Sequence, residues 1–335
     1  MKKFYLFNLI LVLLLLTGCN MFKNDSMEEI EVYTTTYPNN YLIKYLYGNN
    51  ANIYSIYPTG VNFKEYEVSD KKIIEYAKSD LFVFNSQDID REYAVAMLNK
   101  NKNLKLIDTS YGMKYNYAIE ELWLNPYNYL MMAKNTKDSL TEYITNPYII
   151  ETINNNYEVL HYELSKLDAN YKDILTNASY KTIVTDNALF KFLEKYNIEV
   201  IVLEENIVTL TIKEKDTLSD ISNTYNISIS DILTYNNKTN ETLTVGEKIK
   251  IPIKTIETSD INKVKKLINE KQIKYIYSNS TTTNDVVSKL ITDEKLELIT
   301  INTMYSIDGG ITNNNETYMT VMNDNLELLK KELYK

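Results

Sequence analysis

Residues 149–175 read IIETINNNYEVLHYELSKLDANYKDIL, and this stretch decides the architecture. Ile149, Ile153, Tyr157, Leu160, Leu164, Leu167, Tyr171 and Ile174 recur at spacings of three and four, which puts them on one face of a single helix. At 1.5 Å per residue the stretch from Ile149 to Leu175 spans about 40 Å, enough to run the length of two lobes. On both sides of it, short apolar runs alternate with amphipathic stretches, the signature of α/β layers. Before it, strands are expected at Glu31 to Thr35, Ile53 to Tyr57, Leu81 to Asn85 and Leu104 to Asp108, with helices at Pro38 to Tyr47 and Lys71 to Lys78. After it, Lys181 to Thr185, Val200 to Leu203, Tyr275 to Ser278 and Leu298 to Ile301 read as strands. Ile261 to Glu270 and Met319 to Leu333 read as helices.

The N-terminus carries an export signal. Lys2 and Lys3 precede an apolar run from Phe4 to Leu16, about 13 residues where a spanning helix needs roughly 20. Leu16-Thr17-Gly18-Cys19 follows and resembles a bacterial lipobox, in which Cys19 is the lipid attachment site and first mature residue. Cys19 is the chain's only cysteine, so no disulfide forms and no thiolate remains for a metal or redox site. The expected localisation is extracytoplasmic, anchored to the cell membrane by lipid. The net charge of −9 excludes a nucleic-acid partner, because no basic stripe exists to neutralise phosphates. The 30 tyrosines go with abundant Asn, Ile and Lys, so tyrosine stripes read as packing rather than as binding surfaces.

Tyr57-Pro58-Thr59-Gly60-Val61-Asn62-Phe63-Lys64 resembles the metal-contacting loop of the zinc/manganese cluster of ABC-importer solute-binding proteins. Val32 to Pro38, Ser79 to Asn85, Leu122 to Pro126 and Tyr318 to Leu326 match other segments of that family in order and spacing. The resemblance implies two α/β lobes joined by one rigid helix, an ABC permease as partner and a divalent cation, zinc or manganese, as ligand. Its metal positions fall on Lys64, Glu121, Asp186, Asn279 and Asn302. No imidazole stands at any of them. Imidazole suits Zn²⁺, whereas carboxylate and amide oxygens suit Mg²⁺, Ca²⁺ or Mn²⁺. Either Lys64 occupies the cation's place between Glu121 and Asp186, or it turns to solvent and the oxygens hold a cation, or the ligand is a different small molecule. The only histidine, His161, lies on the long helix, away from these positions.

Residues 209–253 interrupt the second lobe. Asp216-Thr217-Leu218, Ile232 to Asn236 and Val245-Gly246-Glu247-Lys248-Ile249-Lys250-Ile251-Pro252 closely resemble a LysM module, a small strand-helix-helix-strand domain that binds peptidoglycan and other N-acetylglucosamine glycans. Lys215 stands where relatives carry glycine. By resemblance the sugar groove involves Asp216, Thr217, Leu218, Asn236, Ile249, Ile251 and Pro252; the alternative is a module kept as a spacer.

The expected organisation is a signal peptide (1–18), a lipidated linker (19–29), an N-terminal lobe (30–148), the interlobe helix (149–178), a C-terminal lobe (179–208 and 254–335) and the module (209–253). No nucleophile-base pair can be assembled, so no enzyme is expected. Two readings remain: a transport receptor, or a wall-tethered structural or adhesive lipoprotein on the same fold.

Overall fold

The structure, a computed structural model, describes residues 27, 29–61, 66–87, 89–304 and 316–335. These fall into two units. The first comprises residues up to Gly112 together with Leu130–Glu163; the second comprises Met113–Tyr129, Leu164 to Met304 and 316–335.

The first unit is built on a four-stranded sheet of β1 (Ile30–Thr34), β2 (Ala51–Ser55), β3 (Leu81–Phe84) and β4 (Lys105–Asp108). The order is β2-β1-β3-β4, and every pairing is parallel. β3 is buried at all four positions, as a central strand covered on both faces must be. Helices α1 (Tyr37–Tyr47), α2 (Asp70–Tyr76) and α3 (Asp90–Lys100) connect the strands. Pro38 near the start of α1 sits where its missing N–H costs nothing, and Gly48, at φ +61°, closes that helix.

Short α4 (Glu121–Leu124) leads into α5 (Pro126–Tyr143), and the long helix is α6 (Pro147–Thr176). Most of its apolar stripe is buried: Ile149, Ile153, Leu160, Leu164, Leu167 and Tyr171, with Leu175, are each at most 4% exposed, while Tyr157 and Ile174 are half-buried. The boundary between the units falls inside α6, after Glu163. His161 is exposed on this helix, its ring 5.7 Å from that of Tyr157.

The second unit repeats the plan with β5 (Thr182–Thr185), β6 (Glu199–Val202), β9 (Tyr275–Ser278) and β10 (Glu297–Thr300), all parallel, in the order β10-β9-β5-β6. A 3-10 helix (Ala188–Tyr196) links β5 to β6. Helices α9 (Thr258–Asn269), α10 (Asp285–Glu294) and α11 (Tyr318–Leu333) complete the layers. Val184, Ile201, Leu203, Val264, Ile276, Val287 and Leu290 form the core. Glu332 on α11 is wholly buried; its carboxylate accepts from the backbone N–H groups of Lys274 and Tyr275 and pairs with Lys335, which ties α11 to the start of β9.

Between β6 and α9 stands a separate element: β7 (Asn206–Thr211), α7 (Leu218–Tyr225), α8 (Ile229–Tyr235) and β8 (Lys248–Lys254). β7 and β8 pair antiparallel, Asn206 with Lys254 and Thr211 with Lys248, so both ends of the insertion leave side by side. It has its own small core of Ile212, Leu218, Ile221, Ile232, Ile249 and Ile251. The strand pair reaches a few residues beyond the expected limits of 209–253.

One expected boundary is corrected. Residues 113–129 belong to the second unit, not to an N-terminal lobe of 30–148, because side chains hold them there. Trp123 Nε1 donates to Thr303 O at 2.8 Å, Tyr318 Oη donates to Trp123 O at 2.6 Å, and the Tyr129 ring stacks on Tyr318 with centroids 3.8 Å apart.

Candidate functional site

Four of the five positions expected to face a metal lie in the second unit; Lys64 and Cys19, the expected lipid attachment site, lie outside the described residues. Strand register brings two of the four together. Thr185 pairs with Tyr277, so the next residues, Asp186 and Ser278, are neighbours at the carboxyl ends of β5 and β9. Ser278 Oγ donates to Asp186 Oδ2 at 2.6 Å. Asn187 Nδ2 lies 2.7 Å from Asp186 Oδ1 and 3.1 Å from Asn279 Oδ1, while Asn187 Oδ1 accepts from Leu189 N and caps the 3-10 helix. Burial pushes the Asp186 carboxyl above the usual carboxylate range, against the pull of the Ser278 hydroxyl and the residue's own backbone N–H.

Asn302 and Glu121 are turned to other tasks. Asn302 Oδ1 accepts from Met304 N at 2.9 Å, and its backbone exchanges two hydrogen bonds with the buried Asn325 amide. Glu121, only 7% exposed, accepts from Asn116 N at 3.0 Å through Oε2. Lys195, on the 3-10 helix, lies in the field of Asp168 and Glu121, and its Nζ donates to Asn125 Oδ1 at 2.7 Å. Burial pulls this ammonium below the usual lysine range, while the two carboxylates oppose the shift.

One of the three readings of the sequence put the protein's own cation at Lys64; Lys195 was not among the expected site residues. The signal was an apolar face of Leu189, Phe190, Phe192, Leu193 and Tyr196, all buried, with Lys195 beside it.

The donor set does not fit zinc. It holds two carboxylates, two amides and no imidazole or thiolate, and each of the four side chains already has an oxygen bonded to a donor of the protein. Among the described residues, no three His, Cys, Asp or Glu side chains gather closely enough to hold a metal ion.

The inserted element gives its seven candidate glycan residues structural tasks. Leu218, Ile249 and Ile251 are at most 2% exposed within its core, and Pro252 is buried beside them. The place in the sugar groove expected of Leu218, Ile249, Ile251 and Pro252 therefore has no exposed side-chain surface to fill it. Asn236 clamps α8 to β8: its Oδ1 accepts from Lys250 N at 2.9 Å and its Nδ2 donates to Lys250 O at 2.7 Å. Thr217 is the N-cap of α7, accepting from Asp220 N. Asp216 Oδ2 accepts from Lys213 N at 2.7 Å, closing a turn in which Lys215 holds φ +74°, the left-handed conformation that favours glycine. Asp216 and Thr217 remain exposed.

The model of the periplasmic zinc-uptake complex component A family, ZnuA, matches residues 32–243. The chain belongs to the ZnuA family of metal-importer solute-binding proteins. It is 26% identical over 215 residues to the zinc-binding lipoprotein AdcA of Streptococcus pneumoniae, covering 58% of this chain and 42% of that protein. With a metal ABC transporter substrate-binding lipoprotein of Lactococcus lactis the identity is 27% over 203 residues, or 55% of this chain and 64% of that one. The chain thus spans less than two thirds of the length of either relative. The Zn(II)-bound ZnuA-like domain of S. pneumoniae AdcA superposes with a TM-score of 0.64 at 19% identity, covering 92% of this chain and 100% of that domain. The likeness shows the ZnuA fold, two lobes each on a parallel sheet. No helix among the described residues is long and apolar enough to cross a membrane.

Proposed function

We propose that this chain is an extracytoplasmic lipoprotein, anchored through Cys19, that keeps the solute-receptor fold of the zinc importers without their zinc site and carries a LysM module that grips peptidoglycan. The observation that carries the metal part is the donor set of the second unit: Glu121, Asp186, Asn279 and Asn302 offer no imidazole or thiolate, and each already has an oxygen bonded within the protein. Supplying a divalent cation there means breaking those bonds, and near Glu121 it also means meeting the field of the Lys195 ammonium, a like charge.

Glycan binding is supported by the βααβ order, the paired ends of β7 and β8 and the exposed Asp216-Thr217 loop. With Leu218, Ile249, Ile251 and Asn236 committed to the module's fold, the contacts fall to that loop and to backbone groups around it. A permease partner follows from the family. A retained fold used only to hold the protein at the wall is the second reading, and the replaced ligands favour it. Pull-down on insoluble peptidoglycan tests the glycan claim: retention should be lost on deleting residues 206–254, and equal retention of the deletion variant leaves the module a spacer. Loss of palmitate labelling in Cys19→Ala is expected for the anchor; unchanged labelling contradicts it.

A further inference from the structure

At the carboxyl ends of β1 and β3, three buried polar atoms find no hydrogen-bond partner among the described residues: Thr36 Oγ1, Asn40 Oδ1 and one atom of the Asn85 amide. The residues are 2%, 2% and 1% exposed. Buried polar groups are nearly always paired, so three on adjacent strand ends and the first turn of the helix that follows call for an occupant. Thr34 pairs with Val83, and continuing that register sets Thr36 beside Asn85. Thr36 is also the N-cap of α1, with no side-chain bond to the helix, and Asn40 lies one turn further on with its Nδ2 donating to Thr34 Oγ1 at 3.2 Å. Strand order reverses between β1 and β3. Open parallel sheets bind ligands outside the strand ends at such a switch point.

Proton counting fixes the chemistry of the occupant. Thr109 Oγ1 lies 2.8 Å from Asn39 Oδ1 and 2.7 Å from Asn85 Oδ1, but a hydroxyl has one proton to give. One of the two amides must therefore turn by half a rotation, since amide oxygen and nitrogen are assigned from the network. Either Asn39 turns, its Oδ1 then accepting from the Thr35 hydroxyl 2.9 Å away, or Asn85 turns and presents Oδ1 as its unpaired atom. In both cases what remains is uncharged: the Asn40 carbonyl oxygen, the Thr36 hydroxyl and one end of the Asn85 amide. A hydroxyl complements them either way, donating to Asn40 Oδ1 while accepting from Thr36. An ammonium or metal ion is disfavoured by the partial positive charge at the start of α1.

We propose that the switch point of the first unit is a binding site for one neutral hydroxyl group, from a bound water or from the alcohol of an organic solute. This inference stands apart from the zinc and glycan readings. Crystals of the mature protein, alone and soaked in erythritol, test it. An isolated density peak bonded to Thr36, Asn40 and Asn85 identifies water, and density continuous with the polyol identifies a solute hydroxyl; either supports the proposal, and no density in both crystals overturns it. The near-isosteric Thr36→Val gives a second arm. It should lower Tm by removing a partner of the held group, whereas a rise in Tm, as expected on deleting an orphan, overturns the site.

Discussion

The two sheets run their strands in equivalent order, β2-β1-β3-β4 in the first unit and β6-β5-β9-β10 in the second, so each has its switch point between the strand that opens the unit and the one that follows the crossover. The first ends in Thr36 and Asn85, neutral and with unpaired atoms; the second ends in Asp186 and Asn279, tied through Ser278 and Asn187. The same backbone plan thus carries one open polar site and one saturated network. The fold sets where a ligand can sit, while the residues at the strand ends decide whether anything is left to bind it.

The largest effect is expected at the amino end of β9, the strand whose other end carries the second switch point. Glu332→Ala should cost about 3 kcal/mol in urea unfolding, because it leaves the N–H groups at the start of β9 without their acceptor. A cost below about 1 kcal/mol would show that β9 does not depend on α11. Next, Asn236→Ala should destabilise the inserted element by about 2 kcal/mol, read as faster amide exchange along β8, since both backbone bonds to Lys250 go at once. Lys215→Gly should act in the opposite direction and gain about 0.5–1 kcal/mol by relieving the left-handed backbone. An unchanged or lower Tm would mean that this turn carries no strain.

The smallest effect is a pH slope. The folded pKa of Asp186 is raised, so its contribution to stability is fully present below the ordinary carboxylate pKa and is lost as pH rises through the folded value. Asp186→Asn should therefore match the wild type in acid and gain slightly on it at neutral pH. A variant that falls behind as pH rises would mean that the carboxylate is stabilised at that switch point.

Much of this was legible in the sequence. The stripe from Ile149 to Leu175 anticipated α6 within two residues at either end, because a sustained 3.6-residue period over many turns has few other readings. The strands also appeared close to where their apolar runs placed them, as buried parallel strands must. α3, α5 and α10 were not anticipated: Asn and Lys interrupt the faces of α3 and α5, and α3 has no side-chain cap at its start. α10 did carry a sequence signal that went unread, Asn284, whose side chain accepts from Val287 N. The site was less legible than the fold. Strand-end positions could be carried over by resemblance, but the partners that saturate them, Ser278 beside Asp186 and Asn116 beside Glu121, follow from register and turns that only three dimensions bring together. The module's apolar residues read as sugar contacts for the same reason: a motif preserves core and groove alike, and burial alone separates them.

The central claim is that a zinc-receptor fold persists here without a zinc site. Native mass spectrometry of the mature chain, exposed to Zn²⁺ and then desalted, measures it directly. The account predicts the metal-free mass for the wild type and a one-to-one zinc adduct only after Lys64→His, Glu121→His and Asp186→His are combined. A stoichiometric zinc adduct retained by the wild type would contradict it.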